Sequence, residues 1–279
     1  LLCEMDCIAE GFDSFLRAAT LVHSGAATGF EPEHKVAHDV EQRLYLADCG
    51  QAPGAGLYLF EGARLPQPVL RTTDWRAGAA DRWKTASPQI AVIDDFLTEK
   101  ALAALQRFCW RSTIWRRAYD GGYLRAFPES GFACPLLAQI AEELRDALPA
   151  AFAGHPLRYL WAFKYDGKGA GTHIHADEAA INVNFWITPD EANRDPGSGG
   201  LVVWDKAAPP DWDFSRFNAG AAASNTFLAC NNARPVTIPY RANRAVIFNS
   251  NLFHQTDRFD FAPGYLNRRI NITLLYGRR

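Results

Sequence analysis

The chain has 279 residues, 48 % of them hydrophobic and 22 % charged, with a formal net charge of -2. A chain of this length buries a core without disulfide or metal staples, as one large domain or two unequal ones. The balanced charge offers no basic footprint for nucleic acid or an anionic membrane, and no apolar run is long enough to span a bilayer. Cys3, Cys7, Cys49, Cys109, Cys134 and Cys230 form no C-x-x-C pair. That leaves a structural zinc site without support and suits a reducing, cytoplasmic compartment. The opening LLCEMDCIAE carries acids and no basic stretch, unlike a secretory signal, and the missing initiator Met fits a piece of a longer protein.

Residues 1–49 read as a helical segment. Ile8, Phe12, Phe15, Leu16 and Ala19 recur at three- and four-residue steps. The stretch EGFDSFLRAAT resembles the second half of a tetratricopeptide-type hairpin, which would make this segment a repeat remnant. A second helix is expected over HKVAHDVEQRLYLAD. Its His34 and His38 lie one turn apart, but Lys35 stands where a zinc protease needs Glu, so a solvated helix face is expected there. Residues 50–87, rich in Gly, Pro, Ala and Arg, read as a connecting segment with one or two short strands.

From residue 88 to 279 the pattern becomes mixed. QIAVIDDFL reads as a strand, and Thr98 is placed to cap a helix bearing Leu102, Leu105, Phe108 and Cys109 on one face. Another helix starts near Pro135 and repeats Leu137, Ile140, Leu144 and Leu148. Beyond Leu157 come short strands, RYLWAFKY, THIHA, INVNFWIT, GLVVW, PVTIPY, RAVIFNS and RRINITLLYG, separated by turn residues. Such a run without helices argues for an antiparallel sandwich or barrel within an α+β domain.

The chemistry concentrates at GTHIHADEAAINVNFW, with His-x-Asp at His175 and Asp177, and at NSNLFHQT, with His254. Two imidazoles and one carboxylate suit non-haem iron(II) and leave positions for a bidentate 2-oxo acid and dioxygen. His173 alternates with His175 and Asp177. A His173/His175 pair would instead build a cupin-like metal site that does not use 2-oxoglutarate. A jelly-roll binding module without catalysis is the remaining alternative. In INVNFWITP, Asn182, Asn184, Trp186 and Thr188 share one face, which makes Asn184 and Trp186 pocket candidates. Gly199 and Gly200 read as a hairpin turn, since no Lys-Ser/Thr follows to make a phosphate loop.

These motifs resemble the prolyl-hydroxylase-like members of the iron(II)/2-oxoglutarate-dependent dioxygenases. YDGKGAGTHIHAD is similar to their tyrosine, glycine loop and His-x-Asp segment, RAVIFNSNLFHQT to their distal-His strand, and RRINITLLYG to their co-substrate strand. QIAVIDDFLTEKALAAL resembles the strand and helix that open the fold. The resemblance spans residues 88–279. It implies a double-stranded β-helix (jelly roll) with flanking helices, and oxidative decarboxylation of 2-oxoglutarate to succinate coupled to hydroxylation of a protein, peptide or small-molecule substrate. It further implies an Arg for the far carboxylate of 2-oxoglutarate and a role for Tyr165 in reaching that co-substrate. Both Arg268 and Arg269 qualify. Strand alternation places Arg269 with Asn271 and Thr273 on the polar face, which favours Arg269. Asp177 argues against a halogenase, where a small residue would open a halide site.

Overall fold

Most of the alternating segments after Leu157 fold into antiparallel strands, and the helical periodicities before them become helices packed on one sheet. A computed structural model describes residues 32–279 apart from positions 53, 55 and 220. The tetratricopeptide-like stretch, Cys3 and Cys7 lie outside the described residues.

The helices are α1 (Glu33–Asp48), α2 (Thr72–Thr85), α3 (Glu99–Arg111), α4 (Pro135–Ala147), α5 (Pro149–Phe152) and α6 (Ala221–Cys230). The strands are β1 (Ile90–Ile93), β2 (Arg117–Tyr119), β3 (Tyr123–Ala126), β4 (Leu157–Tyr165), β5 (Lys168–Gly169) and β6 (Ile181–Trp186). They continue as β7 (Leu201–Ala207), β8 (Pro235–Ile238), β9 (Ala245–Asn249), β10 (Leu252–Thr256), β11 (Phe259–Asp260) and β12 (Ile270–Tyr276). Seven of them form a major antiparallel sheet in the order β1-β9-β6-β12-β4-β3-β2. The three-stranded sheet β10-β7-β8 and the pair β11-β5 make the minor side.

Two hydrophobic layers follow from the period-2 pattern. On β12, Ile270, Ile272, Leu274 and Tyr276 join Leu105, Phe108, Leu137 and Ile140 of the helices in one core. The opposite face of the major sheet meets the minor sheet across Tyr165, Trp186, Val203, Ile238, Phe248 and Phe259. This is the expected α+β jelly roll with flanking helices. Thr98 caps α3 as its sequence position suggests, with Oγ1 accepting from the Ala101 N–H at 3.3 Å, and Pro135 opens α4.

THIHA forms a loop with one isolated bridge at His175 and not a strand, and α6 interrupts the run of strands that was expected to hold no helix. Two further expectations are corrected. Residues 72–85 form a helix where extended chain was expected. Trp75, Ala79 and Trp83, spaced by four, sink into the same core as Phe96 and Leu105. The sparse apolar stripe suffices because the sheet and its helices supply the other wall. The second correction concerns α1, whose expected solvated face turns inward. His38 is fully buried and Lys35 nearly so. The His38 ring lies 5.4 Å from that of Tyr265. Gln42 donates to the Tyr265 hydroxyl at 2.8 Å and to the Ser112 carbonyl at 3.0 Å. Burial, with nearby Lys164 adding to it, lowers the His38 pKa to about 3, so this imidazole is neutral and structural.

If α2 is a member of the core, Trp75→Ala should cost about 3–5 kcal/mol, the usual range for emptying a buried tryptophan site. A denaturant titration measures this. A loss below about 1 kcal/mol, the scale of a surface substitution, would show that α2 only decorates the domain.

Candidate active site

The loop between β5 and β6 carries His173, His175 and Asp177, and backbone pairing fixes it to β10. Gly171 makes the approach possible. Its φ is +88°, and a Cβ there would sit 2.0 Å from the Thr256 carbonyl oxygen. Four residues on, the two histidines form an isolated antiparallel bridge. The His175 N–H donates to the His254 carbonyl at 3.0 Å, and the His254 N–H donates back at 2.7 Å. The Asp177 N–H then reaches the Ser250 carbonyl at 3.3 Å. A residue on a loop and one on a distant strand are thereby held in register, with their rings 4.5 Å apart.

The side chains of His175, Asp177 and His254 each offer one ligand atom, and these atoms lie within 4.8 Å of one another. His175 Nδ1 donates to the His173 carbonyl at 2.8 Å, and His254 Nδ1 donates to the Leu252 carbonyl at 3.0 Å. Those bonds leave both Nε2 lone pairs for a metal. Desolvation at the cleft floor and the neighbouring His254 lower the His175 pKa to about 4, so it is a neutral ligand near pH 7. Two histidines and a carboxylate on one side of an ion leave the other side open, which fits iron(II). His173 takes no part in this cluster. Its Nε2 donates to the Asn218 carbonyl at 2.8 Å, and the residue lines the cleft.

Behind the ligands runs a chain of amides. Asn182 Nδ2 donates to Asp177 Oδ2 at 2.7 Å, and Asn184 Nδ2 donates to Asn182 Oδ1 at 2.5 Å. Asn271 Nδ2 and Thr273 Oγ1 both donate to Asn184 Oδ1, at 2.8 and 3.0 Å. Asn184 is therefore a buried member of a polar face between the sheets, as alternation on β6 and β12 implied. Asn182, which touches a ligand, is the more direct partner, and the sequence pattern gave no means of ranking the two.

Arg268 and Arg269 part company at the start of β12. Arg268 turns toward α1, with Nε 2.9 Å from Glu41 and Nη1 2.8 Å from Asp166. Arg269 is wholly buried between the sheets. Its Nε donates to the Gly199 carbonyl at 2.6 Å and its Nη2 to the Gly200 carbonyl at 3.3 Å. Rings enclose the guanidinium: Tyr165 at 4.9 Å, Trp186 at 5.8 Å, and Tyr240 and Phe259 at 5.9 Å. Among the described residues no carboxylate comes within ion-pair distance of it. Arg269 Nη1 and Trp186 Nε1 are both buried donors without an acceptor. The Tyr165 hydroxyl lies 3.2 Å from Thr256 Oγ1. A cation and two orphaned donors in one dry layer fit a carboxylate ligand.

A cleft of about 770 Å³ opens from the surface onto His175 and Asp177, walled by Tyr119, Tyr123, Arg125, Trp161 and Phe163 among others. Arg125 was not singled out from the sequence.

No protein-family model matches this sequence, and no curated protein matches it. Solved structures do resemble the fold. The non-haem α-ketoglutarate-dependent epimerase SnoN from nogalamycin biosynthesis aligns over 74 % of this chain and 84 % of its own, with 13 % identity and a TM-score of 0.52. The carbocyclase SnoK from the same pathway aligns over 76 % and 87 %, with 14 % identity and a TM-score of 0.50. A prolyl-4-hydroxylase from Pseudomonas putida superposes more loosely, at a TM-score of 0.43 and 17 % identity over 74 % of this chain and all of its own. With its two facing sheets and flanking helices, the chain has the double-stranded β-helix fold found in the iron(II)/2-oxoglutarate oxygenases.

Proposed function

We propose that this protein is an iron(II)- and 2-oxoglutarate-dependent oxygenase that hydroxylates an organic substrate. The observation that carries the reading is Arg269, a fully buried cation with no carboxylate partner among the described residues, in the same inter-sheet layer as a His-Asp-His cluster. Leaving a charge unpaired in a buried layer is costly, so this cation calls for an anionic ligand, and the far carboxylate of 2-oxoglutarate answers it. With iron(II) bound, the chemistry supplied is the conversion of 2-oxoglutarate and dioxygen to succinate and carbon dioxide, with one oxygen atom entering a C–H bond of the substrate.

Each residue then has a physical task. His175, Asp177 and His254 hold the metal, and the carbonyls of His173 and Leu252 fix the imidazole tautomers. Asn182 orients Asp177. Arg269, steadied by the Gly199 and Gly200 carbonyls, meets the far carboxylate of 2-oxoglutarate, with Trp186 and Tyr165 beside it. Asn184 keeps the polar wall between the two ends rigid. The cleft admits dioxygen and the prime substrate, and its size suits a small molecule or a single peptide side chain. Cys49, Cys109, Cys134 and Cys230 are free thiols, which suits a reducing cytoplasm. No described helix is long and apolar enough to cross a membrane.

His175→Ala, Asp177→Ala and His254→Ala should each lose bound iron and 2-oxoglutarate turnover, whereas His173→Ala should keep the metal. Metal analysis and succinate release read both properties. Iron lost from His173→Ala and kept in Asp177→Ala would favour the cupin-like site. Asn182→Ala leaves all three ligands in place, so metal affinity should fall by about 10–100-fold without vanishing.

The co-substrate site has its own test. Removing one partner of a buried ion pair costs about 3–5 kcal/mol. At about 1.4 kcal/mol per decade, Arg269→Met should weaken 2-oxoglutarate binding on the order of a hundred- to a thousand-fold while the metal stays. Arg268→Met, facing α1, should leave that affinity unchanged. Calorimetric titration of 2-oxoglutarate into nickel-loaded protein measures both. Equal affinity in wild type and Arg269→Met would remove the main support for 2-oxoglutarate as co-substrate.

A further inference from the structure

The wall of the cleft is built by an extension of the major sheet. The hairpin β2–β3 adds two strands beyond β4, and period-2 alternation aims Tyr119, Tyr123 and Arg125 to the same side as Trp161 and Phe163. The opposite set, including Leu124 and Ala126, packs into the helical core. The result is an aromatic surface with one cation at its centre. The Arg125 guanidinium carbon lies 3.9 Å from the Phe127 ring centroid, 4.8 Å from Trp161, 5.1 Å from Phe163 and 5.8 Å from Tyr119. Tyr119 and Tyr123 stack in parallel beside it at 5.1 Å.

This guanidinium is held in place but poorly satisfied. Among the described residues its one side-chain hydrogen bond is a long one, from Nη1 to the Tyr119 hydroxyl at 3.4 Å, and its Nε is buried without an acceptor. Among the described residues no carboxylate pairs with it. Trp161 Nε1, in the same wall, is a second buried donor without an acceptor. The cleft also contains Asp120 and Glu178, but Glu178 and Asp120 are exposed to water, where charge is screened. Asp177 belongs to the metal. Once iron(II), Asp177, 2-oxoglutarate and Arg269 have cancelled one another, the positive charge left inside the cleft is that of Arg125.

Resting on the oxygenase reading above, we propose that the prime substrate is an aromatic or similarly flat carboxylic acid, whose carboxylate pairs with Arg125 and whose body lies against Trp161, Phe163 and the Tyr119–Tyr123 stack. The rings supply area at little cost in side-chain entropy. The planar guanidinium, pre-oriented by its aromatic neighbours, sets the end of the substrate that carries the charge and so the carbon that faces the metal. A cleft of about 770 Å³ lies within the usual small-molecule range. The carboxylate can belong to a free aryl acid or to the C-terminus of a peptide that ends in an aromatic residue.

The test uses matched probes on the protein loaded with nickel(II) and 2-oxoglutarate, so that nothing turns over. 3-(Indol-3-yl)propionic acid is compared with its carboxamide, and N-acetylglycyl-tryptophan with its C-terminal amide, by calorimetry. In wild type each acid should bind on the order of ten- to a hundred-fold more tightly than its amide, the effect of one charge-assisted pair. Arg125→Gln should bring the two to the same affinity while the amides bind as before, which shows that the aromatic wall is intact. Arg125→Lys should restore part of the difference. The tighter of the two acids identifies a free acid or a peptide end as the source. Equal affinities for acid and amide in wild type, no measurable binding of either acid at millimolar concentration, or an unchanged ratio in Arg125→Gln would each overturn the proposal. A protein that takes up no 2-oxoglutarate yet still prefers acids would sink the oxygenase reading and leave only a carboxylate-binding site at Arg125.

Discussion

A guanidinium enclosed between two sheets, with no carboxylate among the described residues to meet it, is the constraint on which the interior of this protein depends. Burying an unpaired charge costs several kcal/mol unless its surroundings answer it. Here the answer is partial. Two carbonyls, of Gly199 and Gly200, take two of the Arg269 donors, and four aromatic rings turn toward the cation. The carbonyls are available because the chain passes unusually close to β8 at this point. A Cβ on Gly200 would sit 1.9 Å from the Ile238 carbonyl oxygen, so no other residue fits without displacing the strand. The arrangement solvates a cation in place of water and leaves one of its ends open to an anion.

The metal-type cluster lies at the other end of the same polar face. β12 and β6 are paired so that Asn271 lies opposite Trp186 and Tyr276 opposite Ile181. Arg269 is therefore beside the Trp186 end, and Asn182, with its bond to Asp177, is at the Ile181 end. The amides between them satisfy one another, which makes this wall stiff. On the proposed reading, a co-substrate with a charge at each end would be measured against two fixed points, one at each end of two neighbouring strands. The cleft approaches from the side of β2, β3 and β4, so a molecule can reach His175 and Asp177 without passing Arg269.

Much of this was legible in the sequence because it rests on strand alternation. Counting by two along RRINITLLYG separates Arg269 from Arg268, and along INVNFWITP it turns Asn184 and Trp186 inward. The order of the ligand motifs gave the cluster, and the His173 ring stands apart from it, bonded through Nε2 to the Asn218 carbonyl. What stayed hidden depends on partners far away in the chain. His38 looked solvated because nothing near it in sequence announces Tyr265. The α2 helix read as loop because Gly, Ala and Arg dilute its Trp75–Ala79–Trp83 stripe, which becomes decisive only against Phe96. Arg125 carried no signal of its own. Trp161 and Phe163 of β4 were not singled out either, because the hairpin that brings a cation onto their face could not be placed from its three- and four-residue strands.

The most direct test of the assignment is optical. Iron(II) is added without oxygen to the purified protein, followed by 2-oxoglutarate, and the visible absorption is recorded. Chelation of iron through the 2-oxo and neighbouring carboxylate oxygens should produce a metal-to-ligand charge-transfer band that saturates at one equivalent and does not form with succinate, which lacks the 2-oxo group. Iron bound tightly by the protein with no such band at saturating 2-oxoglutarate would contradict it.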